Sequence, residues 1–127
     1  MNNNNLLAPL AVLSFLTAPY ALAEDPTFSG GAHWYGPELH GHRTASGAVF
    51  HKDKLTAAHP TLKFGTKVKV VSKLTGKSVV VEINDRCPHR SARCIDLSEG
   101  AAKEIGIYPH KKNDVECYVV SPVNAKK

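Results

Sequence analysis

Asp85 stands out among the residues that could do chemistry because of where the chain puts it. The apolar run Val79-Val80-Val81, with Ile83 two residues on, delivers Asn84-Asp85-Arg86 to an abrupt Cys87-Pro88 stop. Val and Ile favour a pleated, buried segment, whereas Asn, Asp and Pro favour the turn that follows, so the carboxylate is expected where a strand opens to solvent. A carboxyl group on a rigid base can give and take a proton at such a rim. The structural alternative is an Asx-turn or a pair with Arg86. His59 is the second candidate. It precedes Pro60, which pushes it out of the helical region and holds it extended at a corner. A histidine there is either a hydrogen-bonding strut or a group that handles protons. The sequence has seven histidines and three cysteines but no Cys-x-x-Cys or His-x-x-x-His spacing, so neither a metal nor a cofactor is expected.

The elements that must position these residues are short. Ser78 to Asn84 is the Asp85 strand, and a Thr75-Gly76 hairpin turn joins it to Thr66-Lys67-Val68-Lys69-Val70-Val71, where valines and lysines alternate. That alternation predicts a half-buried strand lying antiparallel to its neighbour. Gly30 to Pro37 reads as a first strand ending at a rim, with Trp34 and Tyr35 as an aromatic pair for substrate. The polar loop Glu38 to Gly47 belongs at the surface, where binding residues tend to be placed. Asp53 to Ala58 has weak helical character. Cys94 to Leu97 is a short strand, Ser98 an N-cap, and Ala101, Ala102 and Ile105 the apolar stripe of a helix closed by Gly106. Val115 to Val120 is a last strand. Five or six short strands with one clear helix favour a closed barrel, because closure removes exposed edges.

The opening segment Leu6 to Leu22 is apolar and ends on Ala21-Leu22-Ala23 before Glu24-Asp25-Pro26. It reads as a secretory signal peptide, residues 1–23, and Pro9 and Pro19 interrupt it too soon for a span of about 20 apolar residues. Residues 24–127 then form a single domain, expected to be periplasmic or secreted, monomeric and without a membrane anchor after cleavage. The formal net charge of +5 suits an anionic polymer or surface. Scattered lysines without a basic run give no support for nucleic acid. In an oxidising compartment Cys87, Cys94 and Cys117 predict one disulfide, with the pairing open.

Several stretches together resemble one family: Trp34-Tyr35-Gly36-Pro37, His40-Gly41 through Thr44-Ala45-Ser46-Gly47, Leu55 to His59, Phe64-Gly65-Thr66, Asn84-Asp85-Arg86 and Ile95 to Ser98. In order and spacing they are similar to the rare lipoprotein A domain from about Gly31 to Val120. The resemblance implies a mainly β fold, a six-stranded double-psi β-barrel with one or two short helices. It also implies lytic transglycosylase activity on peptidoglycan glycan strands, leaving 1,6-anhydro-muramic ends. Asp85 matches the family's catalytic aspartate and His59 its active-site histidine, with Trp34, Tyr35, Ser46 and Arg86 as substrate-binding candidates. One departure stands out, because enzymatic members usually carry glutamate directly after Thr-Ala-Ser-Gly and this chain has Ala48. Glu38 or Glu82 could supply a carboxylate instead. The alternative is a non-catalytic wall-binding or inhibitor-like barrel.

Overall fold

The computed structural model describes residues 24–89 and 93–120, so the expected signal segment lies outside the described residues. Six strands follow in chain order among the described residues: β1 Phe28–Tyr35, β2 Thr56–Ala58, β3 Lys67–Ser72, β4 Ser78–Asp85, β5 Arg93–Ser98 and β6 Asn113–Val119. The helix α1 Glu99–Glu104 stands between β5 and β6, and a 3-10 turn, Pro37–Leu39, follows β1. The strands close on themselves in the order β1-β5-β2-β4-β3-β6. β1 with β5 and β2 with β4 run parallel, and the other four pairs are antiparallel. Closure leaves no strand with an open edge, which is how so small a sheet stays protected.

Period-two alternation decides what each strand buries. On β3 and β4, Val68, Val70, Val79, Val81 and Ile83 are buried, while Lys67, Lys69, Val80 and Glu82 face outward. Ala32, Ile95, Leu97, Val115 and Cys117 complete the barrel core, and Ala101, Ala102, Ile105 and Ile107 close it from the helix side. Removing a buried Ile or Leu side chain from such a core costs about 2–5 kcal/mol. The hairpin between β3 and β4 forms as expected, with Gly76 at φ 78°.

Ser98 caps α1 as its type predicts. Its Oγ accepts from Ala101 N at 3.2 Å and donates to Lys54 O at 2.6 Å, tying the helix start to the segment entering β2. Gly100 is required beside it, because a Cβ there would lie 2.6 Å from Asp53 O.

One local expectation is corrected. Asp53 to Ala58 is not helical: Lys54 N returns to His51 O in a turn, and Thr56–Ala58 is strand β2, held between β4 and β5. Two small alanines with a threonine carry little strand signal of their own, and pairing on both sides decides the conformation. The expected disulfide is likewise not found among the described residues. Cys117 is wholly buried in the core, Cys87 is half-buried just past β4, and the side chain of Cys94 lies outside the described residues.

Candidate active site

Asp85 is the last residue of β4 and is half-buried. Its Oδ1 accepts from Arg86 N at 2.8 Å, as in an Asx-turn, and from Ala45 N at 2.9 Å across a sequence gap of 40 residues. The second bond carries the functional weight, because it fixes the Thr44 to Gly47 loop against the carboxyl group. With Oδ1 held by two N–H donors, Oδ2 is the oxygen left to exchange a proton with a ligand.

Tyr35 is brought to this carboxylate from the end of β1. Its ring stacks on buried Phe50 at 4.8 Å. Its Oη is buried without a hydrogen-bond partner of ordinary geometry among the described residues. Burial, followed by the charges of Asp85, Asp96 and Cys87, pushes the phenol far above its usual pKa, so it stays protonated and keeps a hydrogen to donate. Asp85 accordingly has a neutral O–H beside it.

Trp34 goes elsewhere. Neighbours on a strand point to opposite faces, so Trp34 packs on Tyr108 at 4.8 Å while its Nε1 donates to His110 O at 2.7 Å. Lys111 Nζ sits 3.5 Å from the centre of its ring. The pair Trp34-Tyr35 therefore divides between two surfaces, and only Tyr35 joins Asp85. Period two applied to the sequence carries this signal.

His59 meets Asp85 through the backbone, its N–H donating to Asp85 O at 3.2 Å. Its imidazole Nδ1 accepts from Thr61 N and Leu62 N, both at 3.1 Å, and its ring lies 4.9 Å from Phe28. Partial burial, then the charges of Arg86 and His89, lower its pKa below the ordinary histidine value, so it is neutral at pH 7. With Nδ1 committed as an acceptor, its N–H is on Nε2, the one imidazole atom left for a ligand. Arg86 braces the same corner: one guanidinium nitrogen donates to His59 O at 3.2 Å and Leu62 O at 2.7 Å, over the Phe64 ring at 4.1 Å.

Ser46 is on the loop that meets Asp85. Its N–H donates to Asn84 O at 3.3 Å, and its Oγ shares a hydrogen bond with Thr44 Oγ1 and accepts from Ala48 N. Ser46 also borders a hollow of about 260 Å³ on the outer face of β2 and β4, which Ala48, Glu82 and Asn84 line as well. Glu82 thus shares a hollow with Ala48. Glu38 does not line it; its Oε2 accepts from Gly36 N at 3.5 Å. Sequence reasoning missed this hollow and the part of Ala45, whose contribution is a backbone N–H that no residue type announces.

Comparison with known proteins gives a consistent result. Residues 27–117 match the family model described as "Lytic transglycolase". The chain is 54% identical over 101 residues to the Synechocystis protein named "Probable endolytic peptidoglycan transglycosylase RlpA", covering 79% of this chain and 32% of that protein. It is 41% identical over 105 residues to the Vibrio cholerae "Endolytic peptidoglycan transglycosylase RlpA", covering 80% and 40%. The chain therefore spans about a third of the first relative's length. Among solved structures, a Clavibacter michiganensis expansin variant in complex with cellohexaose superposes with a TM-score of 0.58 at 20% identity, covering 76% of this chain and 52% of that one. Streptomyces papain inhibitor gives 0.55 at 18%, covering 73% and 96%. At these identities the two structures bear on the fold alone, and they agree with the double-psi β-barrel.

Proposed function

Since the chain belongs to the lytic transglycolase family, we propose that it is an exported lytic transglycosylase that cleaves peptidoglycan glycan strands in the periplasm or outside the cell, with Asp85 as its proton donor and acceptor. The observation that carries this reading is the Asp85 carboxylate, oriented by Ala45 N–H and Arg86 N–H with a buried, protonated Tyr35 at its side. Two fixed donors on one oxygen hold the other in a single direction, so little reorganisation is needed when a proton moves.

The reaction needs one carboxyl group and no added water. Asp85, as the acid, gives its proton to the glycosidic oxygen, and the bond from that oxygen to the anomeric carbon breaks. The sugar's own 6-hydroxyl then bonds to the anomeric carbon, while its proton passes to the Asp85 carboxylate and restores the acid. An intramolecular hydroxyl has a large effective concentration, which is why a positioned water and a second carboxylate are not required. Tyr35 Oη–H steadies the carboxylate when it is charged. His59 Nε2–H serves as a donor to the sugar, with Arg86 holding its corner and Ser46 setting the loop edge.

One observation favours a second reading. Ala48 places a methyl group where the resembling family's enzymes carry a carboxylate, and a barrel that binds wall glycan without cleaving it has no use for one. Incubating purified, peptide-free glycan strands with the wild type and with Asp85→Asn, then analysing the ends by mass spectrometry, separates the two. The enzyme reading requires anhydro ends from the wild type and a loss of at least ~100-fold in the variant. Binding by both proteins with no anhydro ends from either establishes the second reading.

A further inference from the structure

The turn between β3 and β4 carries a side chain that the fold does not use. Leu74 is 68% exposed, the highest value among the large hydrophobics of the described residues. A lone exposed leucine is ordinary on a protein surface, so its setting decides what it means. Other groups hold the turn: Ser72 Oγ accepts from Leu74 N and Thr75 N, Thr75 Oγ1 ties the tip to Ile105 O, and Gly76 supplies the positive φ. None of these bonds involves the Leu74 side chain, so a polar residue would serve the turn as well. Cations surround it. Lys73 and Lys77 flank the tip and are exposed. Lys73 and Lys112 line a hollow of about 510 Å³ together with Leu74, Asn113 and Asp114, the last being the carboxylate of that lining. The chain leaving α1 packs on the other side, where a Cβ on Gly106 would stand 3.2 Å from Thr75 Cγ2 and 3.8 Å from Lys77 Cδ. Two residues on, Tyr108 is 40% exposed, with Lys103 Nζ 4.8 Å from the centre of its ring.

An aliphatic tip among ammonium groups, with a tyrosine at its margin, fits a partner that is apolar within and anionic at its boundary. We propose that the β3–β4 turn is a peripheral docking surface for an anionic lipid bilayer. Negatively charged headgroups attract Lys73, Lys77 and Lys112, and the long lysine stems let each ammonium stay at headgroup level while Leu74 enters the acyl boundary. The Tyr108 ring suits the same interface, apolar in its body and polar at its tip. A soluble anionic polymer would engage the lysines but offers no layer to take up Leu74. The surface is separate from the Asp85 site. Ser78 and Asp85 are the two ends of β4, about 23 Å apart at the rise of an extended strand. A barrel docked by its turn therefore holds the Asp85 carboxylate away from the lipid, and docking is independent of cleavage.

The test is co-sedimentation with vesicles of phosphatidylcholine alone and of an equal mixture of phosphatidylglycerol and phosphatidylcholine. It compares the wild type, Leu74→Asp, and the double variant Lys73→Glu with Lys77→Glu. The apolar stretch Leu6 to Leu22 adds the same background to all of them. Wild type should bind the mixed vesicles at least ~5-fold more than phosphatidylcholine alone, with release by raised salt, and each variant should lose that excess with its urea midpoint little moved. Spin-labelled lipid in the mixed vesicles should broaden the wild-type amide signals of residues 73–77 and 112 and spare those of residues 84–86. Equal binding to both vesicle types, binding by Leu74→Asp that matches the wild type, or broadening centred on residues 84–86 overturns the proposal. So does retention of wild type and Leu74→Asp alike on dextran sulfate with no excess on the mixed vesicles, which would assign the lysines to a charged polymer instead.

Discussion

The two ends of β4 are built on opposite terms. At its start, the turn from β3 satisfies its polar side chains locally: Ser72 Oγ accepts from Leu74 N and Thr75 N, and Thr75 Oγ1 donates to Ile105 O at 2.6 Å and accepts from Lys77 N. Asn113 Nδ2, bordering the hollow beside this turn, is its exception. At its finish, Asp85 is held by two backbone N–H groups with the Tyr35 phenol beside it, while Thr56 Oγ1 and Asn84 Oδ1 are buried and unpartnered among the described residues. The first arrangement spends its polar groups on stability. The second leaves such groups unpaired around the Asp85 carboxylate, which costs stability and is the kind of local cost that gathers at functional sites.

The comparison breaks most visibly at Asp85. Asp85→Asn keeps an oxygen for the Ala45 and Arg86 N–H groups but loses the transferable proton, so turnover on glycan should fall at least ~100-fold with the urea midpoint little moved. A midpoint that collapsed with turnover would show a structural carboxylate instead. Thr75→Val is the mirror experiment. It removes two hydrogen bonds, leaving Ile105 O short of its donor and Lys77 N short of its acceptor, so denaturation should report a loss of about 1–3 kcal/mol with turnover unchanged. Tyr35→Phe sharpens the contrast, since it deletes the hydroxyl beside Asp85 while keeping the ring on Phe50. Stability should hold within ~0.5 kcal/mol or rise, and turnover should drop about tenfold. An unchanged rate would reduce Tyr35 to a packing residue.

The smallest effect belongs to His59 and to pH. Its folded pKa lies below the ordinary histidine value, so as pH falls the unfolded chain takes up the proton first. The stability it contributes is therefore complete above about pH 6.5 and is lost below it as the folded pKa is approached. Protonation converts Nδ1 from acceptor to donor and breaks its bonds from Thr61 N and Leu62 N. Urea midpoints at pH 7.5 and 5.5 should diverge more for the wild type than for His59→Asn, which offers an uncharged acceptor. Equal divergence would place the acid sensitivity at another group.

Much of the barrel could be read from the chain because its signals are local. The Val and Lys alternation of β3, the Val79 to Ile83 run of β4 and the Ser98 cap each depend on nearby residues. β2 was unreadable for the opposite reason: Thr56-Ala57-Ala58 becomes a strand only through partners on β4 and β5, and the parallel pairings have no local turn to announce them. At the site, Asp85 was legible from the strand that ends on it. Tyr35 was placed with Trp34 although alternation separates them, and the hollow at Ala48 exists only once segment 46–54 lies over β2 and β4.

The central claim is that Asp85 drives cleavage through the sugar's own hydroxyl. Its most direct test is digestion of peptide-free glycan strands by the wild-type protein in water enriched in heavy oxygen, with mass analysis of every new end. The account predicts 1,6-anhydro ends that carry no solvent oxygen. New reducing ends labelled with heavy oxygen, or no new ends at all, would contradict it.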